Sequence, residues 1–190
     1  WCTAAGQRYV QLLPLNETSP GETSPYSSMS AMALDPLYIR LGDVAPDFSL
    51  PASDGKTYKL SDFKGKKAVV VAWFPKAYTS GCTIECKSLA ENGGKIRKFN
   101  VAYFMASVDP IEDNKGFAEK EKADFPLLSD PTKATATAYG VLSPGGLARR
   151  WTFYIGKDGK ILGIDKAVTP KSSAEDMVAK LGEYGVEATK

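Results

Sequence analysis

The sequence predicts an α/β fold, with a mixed central β-sheet, helices on both faces and a β-hairpin ahead of it. Two observations carry this. Short apolar runs alternate with stretches of helical spacing, the order that builds a helix-flanked sheet. Asp-Gly turn signals at Asp54-Gly55 and Asp158-Gly159 then mark a hairpin at each end of that alternation. The length of 190 residues suits one domain with a sizeable core.

Taken in order, Phe48 to Leu50 and Thr57 to Leu60 flank Asp54-Gly55 and read as the first hairpin. Ala68 to Phe74 is the longest apolar run and reads as a strand buried on both faces. Cys82 to Phe99 carries helical spacing through Ile84, Leu89, Ile96 and Phe99, with Gly93-Gly94 as an expected interruption. Val101 to Val108 is a second apolar strand, followed by a helix over Ile111 to Lys122 and a short strand piece at Leu127-Leu128. Pro131 to Tyr139 reads as a helix closed by Gly140. Arg150 to Ile155 and Lys160 to Ile164 form the second hairpin around Lys157-Asp158-Gly159. The last helix starts at Ser172, with Ser172 and Glu175 at capping-box spacing, and runs to Tyr184.

Residues 1–40 differ from the rest. Leu15 to Ser30 is rich in Ser, Thr, Pro and Gly, a composition poor in the apolar surface that orders a chain. The start at Trp1 reads as processed or truncated, and 1–40 as a flexible leader or vector-derived extension, a docked functional arm being the alternative. The folded domain is expected over 41–190. Asn16-Glu17-Thr18 fits a glycosylation sequon, a triplet common by chance.

Composition narrows the chemistry. A net charge of +2 gives no reason to expect a nucleic-acid or membrane-surface partner. No run approaches the ~18 apolar residues of a membrane span. The chain has no histidine, which removes Cys-His and Ser-His nucleophile pairs, His-ligated metals and histidine acid–base catalysis. Its three cysteines, Cys2, Cys82 and Cys86, are too few for a disulfide-stapled scaffold. Any thiol chemistry must draw on backbone dipoles, arginine or lysine.

The informative segment runs from Trp73 to Cys86. A buried strand enters a Pro/Ser/Gly loop that opens a helix, and Cys82 falls in its first turn. Free N–H groups and the macrodipole at a helix start both favour the thiolate. The Thr79 hydroxyl, three residues earlier, is placed to bond the sulfur or an incoming oxygen. Pro75 stiffens the loop and removes a donor.

Pro75-x-x-x-Thr79-x-x-Cys82 resembles the active-site motif of peroxiredoxins, and the similarity extends over about 41–185. Gly42 to Phe48 is similar to the family's opening segment, Ala102 to Asp109 to its second core strand, and Ser129-Asp130-Pro131 with Tyr139-Gly140 also fits. So does Arg150 to Gly159. The bacterioferritin-comigratory, or Q-type, subgroup of the AhpC/TSA superfamily is the most similar. The resemblance implies a thioredoxin-like fold and a site made of Cys82, Thr79, Pro75 and Arg150, with a peroxide as substrate. It implies no cofactor and no metal. Arg150 would stabilise the thiolate and orient the peroxide, while the adjacent Arg149 would point to the opposite face and solvent.

Cys86 is the candidate resolving thiol, with a packing role as the alternative. In the Q-type pattern a local resolving cysteine lies five positions after the nucleophile, and here the interval is four. Helix positions i and i+4 have Cβ atoms ~5–6 Å apart, whereas a disulfide needs ~3.5–4.5 Å. The pair can close only if the helix start distorts. Glu85 matches a position that contacts the arginine in relatives, or is a solvated helix residue. Trp73, Phe74 and Tyr78 line the pocket or belong to the core, and Lys76 is expected on the surface.

The implied cycle takes a peroxide through a Cys82 sulfenic acid and returns the thiol with a thioredoxin-like dithiol protein. The enzyme is expected to be cytoplasmic, with export left open, and a monomer or homodimer. Rival readings are a thioredoxin-like thiol–disulfide oxidoreductase, which typically uses Cys-x-x-Cys, a copper-delivery protein, which adds a histidine ligand, and a non-catalytic binding or chaperone role. This chain has Cys-x-x-x-Cys and no histidine.

Overall fold

A computed structural model describes residues 39–189. Cys2, the Asn16–Thr18 triplet and nearly all of the expected 1–40 extension lie outside the described residues. Strand β1 (Ser49–Pro51) and β2 (Thr57–Lys59) form the expected hairpin, paired through Leu50 and Tyr58. Ala52 to Lys56 connects them, so the link is longer than a two-residue turn, and Leu60 to Phe63 leaves the hairpin as a 3-10 helix.

The main sheet holds β3 (Ala68–Trp73), β4 (Val101–Ser107), β5 (Leu127–Ser129), β6 (Thr152–Ile155) and β7 (Ile161–Asp165). Their order is β5-β4-β3-β6-β7. β3, β4 and β5 run parallel, while β6 and β7 are antiparallel to their neighbours, which makes the sheet mixed as expected.

β3 shows why both sheet faces are apolar. Ala68, Val70 and Ala72 enter one core with Leu89 and Ile96 of α1 (Ser80–Ile96), Phe117 of α2 (Ile111–Glu121) and Met177 of α4 (Ser173–Glu183). Val69, Val71 and Trp73 enter the other, against Phe48 and Leu50 of the hairpin, Leu60 and Ala136 of α3 (Ala134–Ala138). Alternation along a strand buried on both sides gives this division.

Three local expectations change. Helix α1 passes through Gly93-Gly94 unbroken. A Cβ at Gly93 would lie 2.7 Å from the Tyr103 hydroxyl, so that glycine serves close packing. α3 is shorter than Pro131 to Tyr139, beginning only after left-handed Lys133, though Gly140 does close it at φ +65°. Ser172 is the N-cap of α4 without a capping bond, because its hydroxyl donates to Asp176 at 2.8 Å.

Candidate active site

The site lies at the C-terminal end of β3, where chains leaving a parallel sheet open a crevice. β3 ends at Trp73, and the Phe74 N–H donates to the Ala106 carbonyl at 2.9 Å. The chain then turns through half-buried Pro75 and exposed Lys76. The Ala77 N–H is fixed by buried Asp109, which accepts from it at 2.8 Å. Asp109 stands just beyond β4, so the neighbouring parallel strand supplies the anchor of the loop.

Thr79 is the N-cap of α1, in extended conformation. Its hydroxyl donates to the Lys76 carbonyl at 3.0 Å, and no side chain caps the helix. Of the two partners expected for this hydroxyl, the sulfur or an incoming oxygen, it meets neither here: it ties the loop together, with its lone pairs left to accept from a substrate. The first turn holds no acidic residue, so the positive end of the helix is not offset locally. Cys82 sits there with no exposed surface.

Arg150 arrives from the other side by register. β3 and β6 pair antiparallel with Ala72 opposite Thr152, and the Trp73 N–H donates to the Trp151 carbonyl at 2.8 Å. The residues just before β6 therefore lie beside the end of β3. Arg150 precedes the strand rather than opening it, and its Nη2 donates to Cys82 Sγ at 3.2 Å. A Cβ at Gly81 would lie 3.1 Å from that nitrogen, so glycine leaves the guanidinium its place. Arg149 does not point freely to solvent: it is half-buried, with its guanidinium 5.4 Å from the Trp151 ring centroid.

Glu85 is the main addition to the predicted set. It is fully buried on α1 and paired with Arg150 Nη1, which excludes the solvated alternative. Burial raises its carboxyl to about 7, against the opposing pull of Arg150 and Ser173. Its Oε1 has no hydrogen-bond partner among the described residues. The start of α4 packs here too, with Ser88 Oγ donating to the Lys171 carbonyl at 3.1 Å.

Cys86 is also fully buried, and both thiols are free. Burial pushes the Cys86 thiol up to about 12, helped by Glu121, Glu85 and Asp124. Of the aromatics, Phe74 shares the core of Cys82, Trp73 belongs to the opposite face, and Tyr78 is half-exposed on the loop. Asp109 was missed by sequence reasoning. The only signal for it was its place at the end of a predicted strand.

An arginine-held thiol at an uncapped helix start, on a thioredoxin-like sheet, defines a thiol-dependent peroxidase. Comparison with known proteins agrees. The AhpC/TSA family model matches residues 41–164. The chain is 38% identical over 130 residues to Peroxiredoxin Bcp of Escherichia coli (strain K12), covering 65% of this chain and 83% of that protein. Peroxiredoxin bcp1 of Schizosaccharomyces pombe is 32% identical over 144 residues, 74% of this chain and 73% of that one. The crystal structure of Peroxidoxin BcpB from Mycobacterium tuberculosis superposes with a TM-score of 0.70 at 30% identity, covering 77% of this chain and 98% of that one. A cysteine-to-serine mutant of PrxQ from Xylella fastidiosa shares the fold, with a TM-score of 0.71 at 23% identity, over 77% of this chain and 98% of that one. The chain belongs to the AhpC/TSA family as a peroxiredoxin of the Bcp, or Q-type, group.

Proposed function

We propose that Cys82 reduces hydrogen peroxide and organic hydroperoxides, with Arg150, Thr79 and the first-turn N–H groups of α1 as its partners. The observation that carries this reading is the 3.2 Å bond from Arg150 Nη2 to Cys82 Sγ. A guanidinium always carries its charge, so it favours the thiolate and then the negative oxygen of the breaking O–O bond. The thiolate attacks the terminal oxygen of ROOH. An S–O bond forms, the O–O bond breaks, and RO⁻ leaves to take a proton. Thr79 accepts the hydrogen bond of the peroxide hydroxyl, and Pro75 stiffens the loop that carries Thr79.

Cys86 then resolves the sulfenic acid. Its sulfur displaces hydroxide from Cys82, forming a disulfide and, after protonation, water. In the folded helix this is closed to it, since the thiol is buried and held protonated. The first turns of α1 must unwind, which returns Cys86 to water and lets the two sulfurs meet. A thioredoxin-like dithiol supplies two electrons by exchange and restores both thiols. A reducing compartment such as the cytoplasm suits this cycle. Among the described residues no helix is long and apolar enough to cross a membrane.

Peroxide consumption with a dithiol reductant tests the scheme, read beside mass spectrometry of the oxidised chain. Wild type is expected to turn over and to form a Cys82–Cys86 disulfide, and Cys82→Ser to consume none. A wild type no faster than a free thiol would overturn the role of Cys82. Sulfenic or sulfinic Cys82 accumulating with Cys86 reduced would overturn that of Cys86.

A further inference from the structure

Both ends of the Pro75–Ala77 loop lean on one residue of α2. Phe74 packs on Phe117 with ring centroids 5.9 Å apart, and Tyr78 meets the same ring edge-on at 5.4 Å. Tyr78 remains 50% exposed, so burial alone does not account for its placement. Its backbone is left-handed, at φ +64°. For a residue with a side chain that conformation is unfavourable, and it persists only where its surroundings impose it.

The surface of α2 supplies the constraint. The Tyr78 hydroxyl reaches over Gly116, where a Cβ would lie 2.6 Å from its oxygen. Lys120 Nζ stands 5.5 Å from the ring centroid, within cation–π range. Glycine inside a helix is unfavourable relative to alanine. A seat for the Tyr78 hydroxyl is the structural reason for one at position 116.

We propose that Tyr78 is a positioning residue for the peroxide reaction, acting through the loop and resting on the reading of Cys82 given above. The Ala77 N–H on one side is fixed by Asp109, and Thr79 on the other holds the N-cap position of α1, its hydroxyl on the Lys76 carbonyl. A left-handed residue between them sets the direction in which the chain enters the helix. Docking on Gly116, Phe117 and Lys120 keeps that direction, and with it the aim of Thr79 at the oxygen that Cys82 attacks. If the ring lifts off α2, Tyr78 can relax to an ordinary φ, and Thr79 swings with it.

Gly116→Ala tests this from the far side of the contact. By helix propensity alone the change stabilises α2. With the hydroxyl in the way, the Tyr78 ring must move. In a Tyr78→Phe background the nearest atom of that ring is Cζ, at 3.9 Å, an ordinary contact. Gly116→Ala is expected to slow Cys82 oxidation by hydrogen peroxide about tenfold in the tyrosine chain. It should leave the thermal midpoint undiminished and Cys82 alkylation by iodoacetamide nearly unchanged, since alkylation needs no aim from Thr79. In the phenylalanine background the alanine effect should shrink below about twofold. An undiminished peroxide rate in Gly116→Ala overturns the role of Tyr78, as does an equal alanine effect in both backgrounds or an equal loss in alkylation. A wild type that reacts no faster than a free thiol overturns the function itself, and is seen in the same measurement.

Discussion

Replacing Glu85 with glutamine removes a single ionisable proton from the most enclosed carboxyl at the site and preserves its volume. In the folded chain, burial raises that carboxyl from 4.5 to about 7. In the unfolded chain the group is in water and returns to its ordinary value. The folded protein therefore holds this proton more tightly than the unfolded one. The stability so gained is fully present below pH 4.5 and is lost as the pH rises through 7. At 1.36 kcal/mol per unit, the displacement is worth about 3 kcal/mol.

Glutamine cannot ionise, so the variant lacks this dependence. Urea unfolding of both chains in reducing buffer, followed by the emission of buried Trp73, gives the difference in unfolding free energy with other titrations cancelled. Variant minus wild type should climb by about 3 kcal/mol between pH 4.5 and 8, and level off on either side. A difference that stays flat across this window, or falls, refutes the assignment of a neutral-range carboxyl to Glu85.

Arg150→Met should slow peroxide consumption about 10²–10³-fold, since it takes away the guanidinium donor on Cys82 and the ion-pair partner of Glu85. Stopped-flow peroxide decay reads this directly. Gly93→Ala and Gly94→Ala should move the thermal midpoint in opposite directions. A Cβ at Gly94 meets open space, and alanine there should stabilise by about 0.5–1 kcal/mol. At Gly93 it would crowd the Tyr103 hydroxyl, Arg97 and Asp124, at 2.7, 2.9 and 3.0 Å, and should destabilise the protein.

What could be read in the sequence was what depends on local order. Strand period, the Asp-Gly turns and the step from β3 through Pro75 to Cys82 are local, so the sheet, its hairpins and the thiol at a helix start were legible. Arg150 was legible only through resemblance, because β-sheet register, not sequence distance, brings it to Cys82. Glu85 stayed ambiguous for a similar reason. Whether a helical glutamate is solvated or buried depends on what packs on it, and here that is the start of α4, far along the chain. Asp109 and Tyr78 were invisible as loop anchors because each acts across a strand or helix contact. Gly93 looked like a break because a glycine pair lowers helix propensity, whereas its lack of a Cβ is what the Tyr103 contact requires.

One helix thus carries two thiols in opposite electrostatic settings. Cys82 faces the Arg150 guanidinium and the uncapped start of α1, where negative charge is favoured. Cys86, one turn on, is pushed up first by burial, and the negative charges of Glu121, Glu85 and Asp124 add to that effect. The first position stands against a guanidinium and a helix start, while the second keeps its proton as long as the helix is intact. On the proposed cycle, this arrangement keeps Cys86 from acting as a premature nucleophile. In that same cycle the first turns of α1 have to open before the two sulfurs meet. The contacts that hold them closed, Asp109 on Ala77 and Tyr78 on Gly116, are then set against the second half of the reaction as much as they serve the first.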